Sequence, residues 1–382
     1  MLPLPLPPFR EALGYRHPDD DDDDDNDGGE IGIIGTTMVE TSKRRARKLR
    51  FGLWSPRDRA WLRELERRYE AFRRARGGVI RGDDVTAATA AAGDPPGVPW
   101  TTPGIPNTVH QIWLGPRPIP RQCALWMAAL REMCQQNAWR YRLWRDADVN
   151  SMVPPLANRA AFDAASNYGE KADILRYEIL LRVGGLYVDV DFEWFRLPDA
   201  LHAARHAGPT RGDACAGRGS VATAAPPVAT TTTAARAGTP PCGCRFYAGL
   251  SATATVELNN GLIACAPGHP LMARVVAAIP GVQRVASTAA GAVRVGGAAS
   301  GAAMSTISRT GPGHFTRVVL GALDDDSVAR LLLDDVLILP PSFFYPLPNH
   351  LRRSVAAPER RAAFARPESL AMHHWEKTWV MP

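Results

Sequence analysis

Residues 172–193, ADILRYEILLRVGGLYVDVDFE, constrain this chain more than any other stretch: they spell a helix, a glycine stop, a short apolar strand and two aspartates two residues apart. Gly184 and Gly185 supply the left-handed backbone at which a helix ends. Leu186, Tyr187 and Val188 are strand formers with no charge among them. A strand of this kind is buried. Asp189 and Asp191 then lie at its carboxyl end, where open α/β sheets place their ligands. Two carboxylates converging there make a hard-oxygen site suited to Mg²⁺ or Mn²⁺ and, through the metal, to a diphosphate. The other D-x-D matches (Asp146 with Asp148, Asp324 with Asp326, and the run Asp19 to Asp25) lack that context and read as solvated surface.

Asp173 and Arg176 are three residues apart and share one face of the preceding helix, whose apolar positions are Ile174, Leu175, Ile179, Leu180 and Val183. Two readings stay open for the pair. It is an intrahelical ion pair, or Arg176 faces an anionic ligand and Asp173 a hydroxyl-rich one.

The remaining pattern alternates strands with helices and predicts an α/β sheet. Strands are expected around Val109, Ile112 and Trp113, over Trp139 to Trp144, Asn260 to Cys265 and Val336 to Leu339; helices are expected over 121–135, 157–166, 171–183 and 271–279. His269, before Pro270, is read as capping a turn. Residues 1–50 read as disordered: Pro-rich, then Asp-rich, then Gly-rich, then basic. Residues 55–77 read as a basic amphipathic helix, with Ser55 as N-cap, Pro56 in the first turn, and a stripe of Trp61, Leu62, Leu65, Tyr69 and Phe72 that packs on the main domain. Residues 78–103 form a linker, and 104–382 form one domain with low-complexity insertions at about 207–244 and 286–303.

Charge is unevenly spread. Residues 43–76 carry fourteen Lys/Arg against four acids, and residues 19–30 carry nine acids and no base. The basic segment suggests contact with an anionic membrane rather than nucleic acid, because no reading module accompanies it. The start, MLPLPLPPF, lacks a basic region and makes a poor signal peptide, and no 18-residue apolar run is present, so a cytoplasmic or peripheral location is expected. The six cysteines are scattered; Cys242 and Cys244 lack a second pair to complete a zinc site, and the six read mostly as buried or loop thiols in a reducing compartment.

The arrangement A-D-x-L-R-Y-E-x-L-x-x-x-G-G-x-Y-x-D-x-D over residues 172–191 resembles the donor-site core of the family-32 glycosyltransferases with a DXD sugar-binding region. That family includes α-mannosyltransferases and inositol phosphoceramide mannosyltransferases, and the glucosylating clostridial toxins are more distantly similar. Residues 105–115, IPNTVHQIWLG, resemble the family's first strand, and residues 373–379, HHWEKTW, resemble its C-terminal H-H-x-x-x-S-W, with Thr378 in place of serine. Three blocks in the family's order cover roughly residues 104–382.

The resemblance implies a single GT-A (Rossmann-like) nucleotide-sugar-binding domain and a metal-dependent hexosyltransferase using Mn²⁺ or Mg²⁺. It implies a GDP-mannose or UDP-hexose donor, a glycan, lipid or protein acceptor, and retention at the sugar. Asp191 is then the direct metal ligand, with Asp189 and His373 (or His374) completing the shell. Asp173, Arg176, Asp189 and Asn260 hold the sugar and diphosphate, Trp113 stacks on the base or is a core aromatic, and Trp379 covers the pocket or latches the C-terminus. His314, in the loop Gly311-Pro-Gly-His314, is read as solvated rather than catalytic. Two rivals remain. In one, a haloacid-dehalogenase-like phosphatase uses Asp189 as nucleophile and Asp191 as acid/base, although that motif wants Thr or Val where this chain has Glu193. In the other, a non-enzymatic protein binds anions through residues 43–76.

Overall fold

The computed structural model describes residues 5–15, 56–77, 104–202, 244–253, 255–280, 306–324 and 335–376. The linker 78–103, nearly all of the insertion at 207–244, the whole of 286–303, the acidic run and residues 43–55 lie outside them, as do Ser55, Asp326, Cys215, Cys242, Thr378 and Trp379.

Six strands form the central sheet: β1 (Thr108–Ile112), β2 (Arg140–Trp144), β3 (Gly185–Val188), β5 (Phe246–Leu250), β6 (Leu258–Cys265) and β7 (Val336–Leu339), in the order β2-β1-β3-β6-β5-β7. β1 runs parallel to β2 and β3, and β5 runs parallel to β7; β6 alone runs antiparallel to its neighbours β3 and β5. The α/β expectation holds, with a mostly parallel sheet and one reversed strand. A small second sheet pairs β4 (Phe192–Trp194) with β8 (Ala371–His373). β1, β3, β5, β6 and β7 are buried along their whole length, as strands covered on both faces must be. Trp113 falls one residue past the end of β1, so it stands at the strand's mouth rather than in it.

The helix Tyr168–Val183 lies deep in the protein and buries polar residues as well as apolar ones. Asn167 caps it by accepting from the Glu170 amide at 2.9 Å. Each buried charge on it finds a partner: Glu178 accepts from the Ala157 and Asn158 amides and pairs with Arg182 at 3.1 Å, and Glu170 pairs with Arg309 at 2.7 Å. The helix ends at Gly184 (φ 62°) and Gly185 (φ 104°). A Cβ on Gly185 would sit 2.7 Å from the Thr108 carbonyl oxygen and 2.9 Å from His110 Nε2, so both the conformation and the contact exclude a side chain.

His110 locks this turn. Its Nε2–H donates to the Gly184 carbonyl at 3.0 Å, and its Nδ1 accepts from Trp144 Nε1 at 3.1 Å. That bonding requires the neutral ring, and burial lowers its pKa to about 4.

The first residues depart from expectation. Residues 5–15 are not disordered: they form a short helix, Phe9–Leu13, packed on the helix Pro56–Gly77. Leu6, Phe9 and Leu13 are buried with Leu62, Leu65 and Tyr69 in the main core cluster. Phe9 meets the Tyr69 ring at 5.8 Å, and Tyr69 meets Phe343 edge-on at 5.9 Å. Tyr69 also donates to the Pro7 carbonyl at 2.8 Å. The prolines spoke for disorder, but Leu6, Phe9 and Leu13 between them supply enough apolar surface to dock a short segment.

Two outcomes test these points. Phe9→Ala lowers unfolding stability by ~3–5 kcal/mol, as truncation of a buried phenylalanine does; an undocked segment would give no change in a urea titration. His110, whose folded pKa lies below its unfolded value, contributes stability that is complete above about pH 6.5 and is lost as the pH falls toward about 4. The swing is ~3 kcal/mol at about 1.4 kcal/mol per pKa unit, and His110→Gln flattens the acid limb of stability between those pH values.

Candidate active site

The D-x-D turn is held by its backbone. The Asp189 amide donates to the Gly261 carbonyl at 2.8 Å, and its carbonyl accepts from Gln111 Nε2 at 3.1 Å. Gln111 Oε1 in turn accepts from the Tyr141 hydroxyl at 2.6 Å. Val190, between the aspartates, packs into a small apolar cluster with Cys123, Trp126 and Met127. Asp189 and Asp191 both line a cleft of about 820 Å³, a size that accommodates a drug-sized ligand.

His373 reaches Asp191 from the far end of the chain because β8 pairs with β4, placing Phe192 opposite His373. His373 Nε2 lies 3.1 Å from Asp191 Oδ1, and the Glu376 amide donates to Asp191 Oδ2 at 2.8 Å. Burial raises the Asp191 pKa, but His373 and the donated hydrogen bonds outweigh it, and the group lies below the ordinary carboxylate range. Asp189 lies above that range: burial is the main cause, opposed by Arg176 and reinforced by Asp191. The pair therefore ionises unequally, with Asp191 the more readily ionised member. His374 does not share this position. It stacks on Trp126 at 4.1 Å and meets Glu193 at 3.1 Å.

Arg176 is the cation at the centre. It pairs with Asp173 at 3.1 Å and Asp189 at 3.3 Å, donates to the Asn260 carbonyl at 2.7 Å, and lies 4.4 Å over the Tyr187 ring. The two sequence readings of Asp173 and Arg176 thus combine, since they are an intrahelical ion pair and both face the cleft. Asp173 also accepts from Asn260 Nδ2 at 2.8 Å and from the Thr310 hydroxyl at 2.9 Å. Burial nonetheless raises its pKa to about 6, against the pull of Arg176.

The cleft gathers Trp113, Asp173, Arg176, Asp189, Asp191, Asn260 and His373, seven residues singled out in the sequence. Trp113 is half-buried at its rim, held by Nε1 donating to the Arg117 carbonyl at 2.7 Å, and is not a core aromatic. Trp379, the eighth, lies outside the described residues. His314 is not solvated: it is buried and hydrogen-bonds the Val275 carbonyl at 3.1 Å, because the helix Pro312–Asp324 carries it into the core. His269 does cap, its Nδ1 accepting from the Leu271 amide at 3.2 Å.

Sequence reasoning missed four contributors. Tyr187 donates to Asp189 Oδ1 at 2.6 Å, a contact that strand alternation between positions 187 and 189 signals. Tyr177 bridges Asn260 and the Thr310 carbonyl, and Thr310 fixes Asp173, joining segments 133 and 137 residues apart that no local pattern links. Gly261 carried no signal at all. A Cβ there would lie 2.7 Å from Asp189 Oδ2 and 2.9 Å from Asn259 Oδ1.

Asp189, Asp191 and His373 each present one ligand atom, and the three lie within 4.8 Å of one another. His373 Nδ1 is buried without a protein partner among the described residues, and the ring is held by the Asp191 contact at Nε2 and by the rings of Phe192, Tyr345 and Trp375. Two carboxylates and an imidazole suit a small divalent ion that keeps positions open for phosphate oxygens or water.

Residues 122–206 match the family described as "Glycosyltransferase sugar-binding region containing DXD motif". The chain is 26% identical over 108 residues to "Inositol phosphoceramide mannosyltransferase 1" of Schizosaccharomyces pombe (strain 972 / ATCC 24843), covering 28% of this chain and 34% of that protein. The chain thus spans about a third of the length of that curated relative. Among solved structures it is similar to the "PaToxG Glycosyltransferase" (14% identity, TM-score 0.31, 61% of this chain and 76% of that one). It is similar too to the UDP-bound glycosyltransferase domain of the YGT toxin (10% identity, TM-score 0.38, 62% and 80%). The middle block of the three-block resemblance, D-x-D included, lies inside the family match.

Gly261→Ala tests the packing behind the aspartates. The added methyl group displaces the Asp189 carboxylate while the strand stays paired. The expected result is a folded protein whose Mn²⁺-induced rise in melting temperature falls by more than half. An unchanged Mn²⁺ response would show that Gly261 does not set the carboxylate.

Proposed function

We propose that this protein is a divalent-metal-dependent glycosyltransferase that moves a hexose from a nucleotide-sugar donor to an acceptor hydroxyl with retention at the sugar. The observation that carries the reading is the cluster of half-buried Asp189 with buried Asp191 and His373, in a cleft that also holds Arg176. Asp191, Asp189 and His373 are the residues that hold the ion, which when bound supplies Lewis-acid neutralisation of a departing diphosphate.

The chain's own groups do the rest. Trp113, at the rim, offers an aromatic face to the base. Arg176 adds a fixed positive charge beside the aspartates, and Asp173, Asp189 and the Asn260 side-chain carbonyl offer acceptors to sugar hydroxyls, the two Asn260 Nδ2 hydrogens being spent on Asp173 and Tyr177. Tyr187, Tyr177 and Thr310 keep these side chains in place before the donor arrives, which lowers the reorganisation needed at the moment of transfer. Asp173, Asp189 and Asp191 are each already engaged by a cation or hydrogen-bond donor. None of the three stands free as a base, which favours a route in which the donor phosphate takes the acceptor proton.

The donor is a GDP- or UDP-linked hexose. The acceptor is a glycan, lipid or protein hydroxyl. Among the described residues no helix is long and apolar enough to cross a membrane. Anion binding through residues 43–76 gains little from the helix Pro56–Gly77, where Arg67 and Arg68 pair with Glu64 and Arg73 pairs with Glu70.

Nucleotide release from UDP-glucose, UDP-galactose and GDP-mannose with Mn²⁺ tests the reading. One donor is turned over, EDTA abolishes the signal, and Asp191→Asn lowers turnover by ~100-fold or more with an unchanged fold, exceeding the roughly 10–100-fold that loss of a residue merely supporting a metal ligand costs. Hydrolysis of p-nitrophenyl phosphate without nucleotide-sugar turnover would instead favour the phosphatase.

A further inference from the structure

The reversed strand β6 extends past the tip of β3. Val188 pairs with Leu262, so residues 261 down to 257 continue beyond the D-x-D turn, outward along the cleft. Gly261 abuts the Asp189 carboxylate, Asn260 binds Asp173, and Glu257 lies four residues out from Gly261, ~13 Å at about 3.3 Å per residue. Glu257 lines the same cleft as the aspartates, with Thr253 and Asn349 beside it in the lining.

The hairpin that presents Glu257 is closed by backbone bonds. The Ser251 amide donates to the Glu257 carbonyl at 2.8 Å, the Glu257 amide donates to the Thr255 carbonyl at 2.9 Å, and the Asn349 amide donates to the Ala252 carbonyl at 3.1 Å. Burial raises the Glu257 carboxyl pKa, and the nearby Ser251 hydroxyl opposes that rise. That serine is itself held by Asn259 Nδ2 at 3.1 Å, and Asn259 Oδ1 accepts from the Gly261 amide at 2.7 Å, so the wall from Glu257 to the D-x-D turn is one connected network. No lysine, arginine or histidine among the described residues forms an ion pair with Glu257. It contrasts with the inner carboxylates, since Asp173 and Asp189 pair with Arg176 and Asp191 is engaged by His373 and the Glu376 amide.

A half-buried carboxylate without a counter-cation, opening on a cleft, is satisfied by a ligand that brings donors. Its two oxygens match two adjacent hydroxyls. A phosphorylated ligand at the same place would meet repulsion rather than a partner. We propose that Glu257 is an acceptor-binding residue of this cleft, accepting hydrogen bonds from vicinal hydroxyls of an uncharged sugar or polyol acceptor. This rests on the glycosyltransferase reading above. It adds the class of acceptor and the wall that recognises it.

The test uses the full chain with Mn²⁺ and the donor it turns over. Transfer to a panel of methyl hexosides is compared with donor hydrolysis by water, for the wild type, Glu257→Gln and Glu257→Ala. Expected is transfer to at least one methyl hexoside in preference to the corresponding hexose phosphate. Glu257→Gln raises the acceptor KM and lowers the ratio of transfer to hydrolysis by about tenfold or more, the range for losing a charged hydrogen bond. Glu257→Ala lowers it at least as far. An unchanged ratio overturns the proposal, as does a matched fall in transfer and hydrolysis, which would place Glu257 on the donor sugar. Loss of kcat at unchanged acceptor KM, with inversion at the sugar, would make Glu257 a general base and overturns it as well. Wild-type protein that turns over no nucleotide sugar removes the glycosyltransferase reading itself, whereas donor hydrolysis without methyl hexoside transfer removes only the acceptor assignment.

Discussion

The guanidinium of Arg176 is the interaction on which the site depends. It is a permanent cation with 6% of its side chain exposed, and it touches Asp173, Asp189 and the Asn260 carbonyl at once while lying over Tyr187. Burying such a charge is costly unless its surroundings satisfy it, and removing one partner from a buried pair leaves the other uncompensated. Each neighbour of Arg176 is therefore constrained twice, once by its own chemistry and once by the need to satisfy the cation. The planar fork meets two carboxylates and a carbonyl, which an ammonium group could not do with the same geometry.

The charges do not balance within the protein. Asp173, Asp189 and Asp191 are three carboxylates, and Arg176 is the one arginine or lysine among the described residues that pairs with any of them. The imbalance surfaces in the unequal ionisation of the aspartates: Asp189 is pushed up by burial and by Asp191, while Asp191 is pulled down by His373. Two carboxylates and an imidazole are ligands that a divalent cation accepts, and an ion bound there would offset the excess of negative charge. The same imbalance explains why Tyr187 and the Glu376 amide are needed as hydrogen-bond donors to the two carboxylates.

How much was legible in the sequence follows the range of the interactions. The glycine stop, the buried strand and the aspartates at its tip were readable because each rests on local backbone rules: Gly184 and Gly185 do adopt positive φ, and Leu186 to Val188 are buried. The i, i+3 pairing of Asp173 and Arg176 was readable for the same reason. Asn260 and His373 entered through the likeness of motifs, because no periodicity joins them to residue 189. Thr310, Tyr177 and Gly261 escaped both routes: their roles arise from packing between segments, and a glycine kept for lack of space looks like any other glycine. Residues 5–15 misled for a different reason. Prolines set local backbone preference, but three buried apolar side chains decided where the segment rests.

The order in which the chain supplies the site has a physical consequence. Asp189 and Asp191 follow β3 at mid-chain, and His373 comes from β8 near the end, brought beside them by the pairing of β4 with β8. That second sheet is short, and its hold is reinforced by the stacking of Phe192 on His373 at 4.6 Å and by the His374 amide donating to the Asp191 carbonyl at 3.0 Å. An ion held by all three residues would cross-link the two parts of the chain, because a ligand that binds only the folded state stabilises it by mass action. Metal affinity and the docking of the C-terminal strand would then be two measures of one equilibrium. A change that loosens β8 would weaken ion binding without touching a ligand, just as Gly261 acts on Asp189 without ligating anything. In this architecture the distinction between a structural residue and a site residue is one of distance along the hydrogen-bond network, since that network runs from the tip of β3 through β6 to the outer wall of the cleft without a break.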